Sequence, residues 1–180
     1  MVVMVLFWVI LVLLALSSCT STVRTASVEM IPVGGELFVK TMPGEIWEPL
    51  SPKGYRGPFA VRGVLRDERL GAVISLAVIK GGDRNLLTRA FVRLKQLERI
   101  GANVGALNYS SIGGETGRAY ALFRYTLSQA GNAGIAGRVA TVRVNDRPDI
   151  VIIVYGRWPM RNDLLMESRF LAIVTGVQWR

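Results

Sequence analysis

The chain has 180 residues, with 22 cationic and 13 acidic side chains, one cysteine and no histidine. The missing histidine excludes Ser-His-Asp and Cys-His catalysis, imidazole-held zinc and the usual pH switch; any metal would be a hard cation on carboxylates. Eighteen of the cations are Arg, a flat fork suited to carboxylate and phosphate, so the net charge of +9 implies either an anionic partner or plain solvation.

Val2–Leu16 is a run of apolar residues. It is short for a bilayer span, which takes about 20 residues, and fits a signal-peptide core, although no Lys or Arg precedes it. It closes in Leu16-Ser17-Ser18-Cys19, followed by Thr20-Ser21-Thr22. A branched apolar residue, two small residues and a lone Cys resemble the lipobox of bacterial lipoproteins. The resemblance implies cleavage between Ser18 and Cys19, a diacylglycerol and an acyl chain such as palmitate on Cys19, and a mature protein of residues 19–180. No other cofactor is implied, and an acylated Cys19 leaves no thiol chemistry. Thr20 stands where Asp commonly signals inner-membrane retention, so the expected place is the periplasmic face of the outer membrane. An uncleaved anchor with an incidental cysteine is the alternative.

Thr20 to about Gly35 reads as a flexible tether, with Ser and Thr first and then Pro32 and Gly34-Gly35. The expected division is thus signal peptide 1–18, tether 19–35 and a single domain 36–180. Glu36–Thr41 reads as a first strand, turned by Met42-Pro43-Gly44. Glu48–Pro58, with three prolines and two glycines, reads as a loop. Phe59–Arg66 is a strand by alternation, Asp67-Glu68-Arg69 a turn, and Gly71–Lys80 a buried central strand.

Asp83 is placed to cap a helix through Ile100. Leu87, Ala90, Phe91, Leu94, Leu97 and Ile100 recur at helical spacing, and Gly101 stops it. The other face carries Arg89, Arg93 and Gln96, flanked by Lys95 and Arg99. Such a face either binds anions or is simply solvated. Asn103–Ile112 is ambiguous and Gly113–Gly117 a turn. Arg118–Leu127 alternates, with Ala119, Ala121, Phe123 and Tyr125 on one face. Ser128–Gly137 reads as a glycine-rich connection. Arg138–Val144 and Ile150–Tyr155 form a hairpin. Gly156–Pro159 leads into a last helix capped by Asn162 or Asp163, with Met166, Phe170, Ile173, Val174 and Val177 as its buried stripe and Gly176 as its stop. Strands grouped together with two helices on a sheet predict an α+β fold.

The Gly113-Gly114-Gly117 and Gly131-Gly134-Gly137 groups lack the Lys-Ser/Thr of a phosphate loop. Asp67 with Glu68, and Asp146 with Asp149, are acidic pairs in turns, where backbone geometry already favours Asp. Trp47 and Trp158 read as core edges with satisfied indole N–H groups; with Tyr55, Arg56 and Arg157 they would otherwise line a ligand surface.

Several residues carry a resemblance at the level of the fold. Pro43, Gly44 and Trp47 end an opening strand, and the helix to Ile100 follows an apolar strand. Glu115-Thr116-Gly117-Arg118-Ala119-Tyr120 feeds a strand bearing Phe123 and Tyr125, and Trp179 follows the C-terminal helix. This arrangement resembles the fold of the photosystem II protein PsbP, the Ran-binding Mog protein and lipoproteins of the DcrB and LpqN kind. It implies an antiparallel sheet flanked by helices, PsbP/Mog-like, and a binding or assembly role without a catalytic motif. The expected function is a non-enzymatic docking module at the membrane, with Arg89, Arg93, Lys95 and Arg99 meeting an acidic protein or anionic envelope polymer and no nucleic acid. A carboxylate-dependent hydrolase or transferase and a small-ligand carrier are the alternatives.

Overall fold

The computed structural model describes residues 29–53, 61–80, 85–110, 119–129, 132–144 and 147–180. Ser18, Cys19, Tyr55, Arg56, Asp83, the Gly113–Gly117 turn, Gly131 and Asp146 lie outside the described residues.

The strands are β1 Met30–Gly34, β2 Leu37–Lys40, β3 Glu48–Leu50, β4 Val61–Asp67, β5 Ala72–Lys80, β6 Asn103–Val104, β7 Asn108–Ser110, β8 Tyr120–Gln129, β9 Asn132–Val144, β10 Arg147–Pro159 and β11 Gln178–Trp179. Helix α1 spans Leu86–Arg99. Helix α2 spans Asp163–Gly176 and follows a 3₁₀ turn at Met160–Asn162. The large antiparallel sheet runs β3-β4-β5-β10-β9-β8-β6, with β7 also on β8; the small one runs β1-β2-β11.

The apolar runs of β5 and β10 follow from what covers them. On β10, Ile150, Ile152 and Val154 enter the core under α2 and the small sheet. Val151 and Ile153 enter a second core under α1. Alternate side chains therefore serve two cores, and a strand covered on both faces has no polar side to show. On β8, Ala121, Phe123 and Tyr125 all face α1, as their alternation predicts. The fold is α+β, with antiparallel sheets flanked by two helices.

Several boundaries differ from expectation. The tether expected over 19–35 gives way at Met30: β1 pairs with β2, and Ile31 and Val33 are core residues. The loop expected from Glu48 begins as β3. A strand containing Pro49 is tolerated there because it lies at the sheet edge. The connection expected over Ser128–Gly137 is mostly strand, since β8 runs to Gln129 and β9 starts at Asn132. Its glycines answer to packing: a Cβ on Gly137 would lie 2.3 Å from the Gly156 carbonyl oxygen and 2.4 Å from the Tyr125 ring. Gly156–Pro159 continues β10 against Ile135–Arg138.

Helix α1 is capped by Asn85, whose side chain accepts from the N–H groups of Leu87 and Thr88 at 3.0 and 3.3 Å. Its buried stripe is Leu86, Ala90, Leu94 and Leu97. Leu87, Phe91 and Ile100, expected inside, are exposed, because the stripe is phased one residue earlier. Gly101, at φ 83°, ends the helix as expected. Its N–H bonds to Glu98 and that of Ala102 to Leu97, closing a left-handed cap. Helix α2 buries Met166, Phe170, Ile173 and Val174, with Val177 beyond its end, as the spacing predicts. Asn162 holds the cap position but turns its side chain to donate to Leu70 O at 2.8 Å.

Candidate functional site

The four cations singled out in the sequence do not converge. Arg93 lies on the flank of α1 nearest the sheet, its guanidinium 4.8 Å over the Tyr155 ring, and donates to Gln96 at 3.1 Å. Tyr155 stacks on Tyr125 at 5.5 Å. The Tyr125 hydroxyl donates to the Gly156 carbonyl at 3.0 Å, and burial, then Tyr155, pushes its ionisation upward. Arg89 shares the Arg93 flank, one turn earlier. Lys95 is about 160° around the helix from Arg93. It pairs with Glu98 at 2.8 Å and lies 5.4 Å over Phe91. Arg99 is exposed in the last turn.

The acidic groups are held by structure. Asp67, 1 % exposed, accepts the N–H groups of Arg69 and Leu70 through one oxygen and meets Arg169 through the other. Glu68 pairs with Arg66 at 2.9 Å, and Asp149 with Arg147. Glu45 accepts from the Trp47 indole at 2.9 Å and lies 3.4 Å from Arg169, which thus bridges two buried carboxylates, one ahead of β3 and one at the end of β4. Trp47 and Trp158 are both buried, with the Trp158 indole donating to Asp163 at 3.1 Å. Among the described residues no three metal-ligating side chains gather.

A different place is open. Where the small sheet meets the start of β4 and the end of β5, a cleft of about 550 Å³ is lined by Gly34, Gly35, Glu36, Pro52, Val61, Arg62, Val78, Lys80 and Trp179. Its position follows from the strands. The β1–β2 turn supplies the glycines and Glu36, β4 and β5 supply Arg62 and Lys80, and β11 returns along β2 to set Trp179 opposite Leu37. The Lys80 ammonium sits 4.7 Å over the Trp179 ring. The Trp179 indole nitrogen is shielded from solvent and has no hydrogen-bond partner among the described residues. An indole N–H only donates, and a buried unmade hydrogen bond costs about 1–3 kcal/mol. The two cations Arg62 and Lys80 suit an acceptor-rich group such as a carboxylate or phosphate, while Glu36 repels a second negative charge beside it. Sequence reasoning missed the cleft because its residues lie up to 145 positions apart (Gly34 and Trp179) on three strand systems. The one available signal was Trp179, a large aromatic residue just beyond the last helix.

No protein-family model matches the chain, and no curated protein sequence matches it. Solved structures do match. The solution structure of cyanobacterial PsbP (CyanoP) from Synechocystis superposes with a TM-score of 0.59 at 14% identity, covering 89% of this chain and 96% of its own. A point mutant of protein Mog1 gives 0.51 at 13% identity, covering 85% and 96%. The Ran-binding protein Mog1p of Saccharomyces cerevisiae gives 0.48 at 12%, with the same coverage. The first two likenesses establish that this chain has a PsbP/Mog1-like fold.

Proposed function

We propose that the protein is a lipid-anchored envelope lipoprotein, held through Cys19 at the periplasmic face of the outer membrane, that docks an acidic group of an envelope partner without catalysing a reaction. The observation that carries the docking role is the cleft lined by Arg62 and Lys80, with the Lys80 ammonium seated over the Trp179 ring of its wall. The anchor rests on the pattern Leu16-Ser17-Ser18-Cys19. The partner surface is thereby moved from Arg89, Arg93, Lys95 and Arg99 to the cleft, because those four side chains point along two separate flanks of α1. A carrier of a small anionic ligand is the second reading; a volume of about 550 Å³ is within the range of small-molecule sites.

The test is affinity capture by the full-length chain from detergent-solubilised envelopes, beside variants. Arg62→Glu with Lys80→Glu should abolish capture, and added salt should weaken the wild-type interaction. Trp179→Leu keeps an apolar wall but removes the ring under Lys80, and should weaken capture. Unchanged capture by both would refute the site. Intact mass and membrane fractionation, beside Cys19→Ala, test the anchor. The expected result is loss of residues 1–18 with added lipid mass, and release of Cys19→Ala from the membrane.

A further inference from the structure

From the outer face of α2 and the point where the chain enters the domain, we infer that this face rests on the anionic lipid surface that holds the anchor; the inference depends on the anchoring reading above. Leu164 is 88 % exposed, and Leu165 and Leu171 are also exposed, with Ser168, Ala172 and Thr175 on the same side of the helix. Those six positions carry no charged side chain. Of the two charged residues in the body of the helix, Arg169 turns toward Glu45 and Asp67, and Glu167, still 59 % exposed, borders the face and pairs with Arg138 at 3.3 Å.

The two hydroxyls do not call for water either. Ser168 donates to Leu165 O at 3.4 Å, and Thr175 to Leu171 O at 3.0 Å and Ala172 O at 3.2 Å. A hydroxyl folded onto its own helix backbone is compatible with an apolar surround. The exposed apolar residues of α1 differ, since Lys95, Glu98 and Arg99 lie among them.

The occupant follows from where the chain enters. Glu29 O accepts the Thr41 N–H at 3.1 Å, and Thr41 lines a shallow groove with Lys40, Met42, Pro43, Ala172, Thr175 and Gly176. The ten residues from Cys19 to Val28 therefore join the domain at the C-terminal end of α2. They reach at most about 35 Å when extended. A tether that short makes the second contact intramolecular, at an effective concentration of about millimolar, so a weak surface contact is populated. Exposed Met42 extends the apolar rim, and the exposed cations Lys40 and Arg161 stand at the two ends of the face. Apolar residues with cations at both ends, and Glu167 on one edge neutralised by Arg138, suit the headgroup region of an anionic bilayer.

The experiment uses full-length, lipidated protein in vesicles of phosphatidylethanolamine and phosphatidylglycerol containing doxyl-labelled lipid. With Cys19 acylated, the thiols of Leu164→Cys, Leu171→Cys and Arg99→Cys variants accept a fluorophore one at a time. The label should be quenched several-fold more at 164 and 171 than at 99. Equal quenching at all three positions, in protein whose mass shows the lipid, overturns the inference and leaves the anchor standing. Protein that lacks the lipid mass and does not co-sediment refutes the anchor, and the inference with it. Disulfide dimers through Leu164→Cys without lipid quenching overturn it in favour of a second copy of the chain. Leu164→Glu serves as a loss-of-contact variant, since a residue so exposed is replaced without disturbing the core.

Discussion

Replacing Asp163 should destabilise the fold more than its position at a helix start suggests. One of its oxygens accepts from both the Arg138 guanidinium and the Trp158 indole. The Arg138 side chain is 5 % exposed and Trp158 is 1 % exposed, so neither donor reaches water easily. Asp163 thereby ties α2 to β9 and β10. Removing one partner of a buried ion pair costs about 3–5 kcal/mol. Here Asp163 is itself a quarter exposed, and Glu167 remains 3.3 Å from Arg138. The expected loss for Asp163→Ala is therefore about 2–3 kcal/mol, part of it from the orphaned indole N–H. Asp163→Asn keeps one acceptor but no charge, and should lose about 1–2 kcal/mol. Adding Arg138→Met to Asp163→Ala removes the stranded cation, so the double variant should be more stable than the sum of the single changes predicts.

Urea unfolding followed by tryptophan fluorescence reads each value as a shift in midpoint at constant slope. The pH dependence has a fixed sign. Burial raises the Asp163 pKa, but the hydrogen bonds from Arg138 and Trp158 outweigh it, so the folded value lies below the ordinary one. A depressed carboxylate contributes in full above its unfolded pKa of about 4, and the contribution is lost as pH falls through the lower folded value. The gap between wild type and Asp163→Asn should therefore narrow below that point. Variants within about 0.5 kcal/mol of wild type at neutral pH, the usual range of surface changes, would refute the reasoning. So would a gap that widens in acid.

Gly137→Ala should cost about 1–3 kcal/mol or more by overpacking, since the new methyl meets a carbonyl oxygen on the paired strand and the Tyr125 ring. Gly101→Ala has open space around it but a left-handed φ of 83°, and should cost about 1–2 kcal/mol in the same urea assay. Asn85→Ala should cost about 1 kcal/mol by freeing two first-turn N–H groups, read as a lower urea midpoint with the α1 far-ultraviolet signal otherwise intact.

Elements whose identity rests on local chemistry were legible in the sequence. The stripe of α2, the Gly101 cap, the alternation of β8 and the β9–β10 hairpin each follow from side chains a few residues apart. Misreadings arose where a distant partner decides. Pro32 and Gly34 suggest a tether until β2 supplies a strand to pair with and a core for Ile31 and Val33. Gly134 and Gly137 suggest a flexible connection, but Gly137 is required by Tyr125 and Gly156, the latter 19 positions away. The stripe of α1 was misphased because Leu86 and Leu87 are adjacent, and only contact with the sheet selects Leu86. The cations of α1 are split between two flanks for a related reason. Arg93 and Lys95 are two residues apart, which on a helix places them on nearly opposite sides.

The hairpin of β1 and β2 relates the two proposed contacts. At its Met30–Lys40 end the chain enters, and Lys40 and Thr41 border the α2 groove. At its other end, Gly34 to Glu36 border the cleft, and β11 carries the chain from Gly176 back along β2 to place Trp179 there. Lys40 and Glu36 are four residues apart, about 13 Å along a strand. The anchored end and the cleft are thus at opposite ends of one rigid two-stranded unit. A domain seated on lipid through α2 keeps Arg62, Lys80 and Trp179 clear of the contact. Loss of the α2 contact should therefore leave partner capture by detergent-solubilised protein unchanged, and reduce capture on intact vesicles only as far as a fixed orientation helps. If Leu164→Glu weakened capture in detergent as strongly as Lys80→Glu, the two surfaces would be one site and the separation along the hairpin would be wrong.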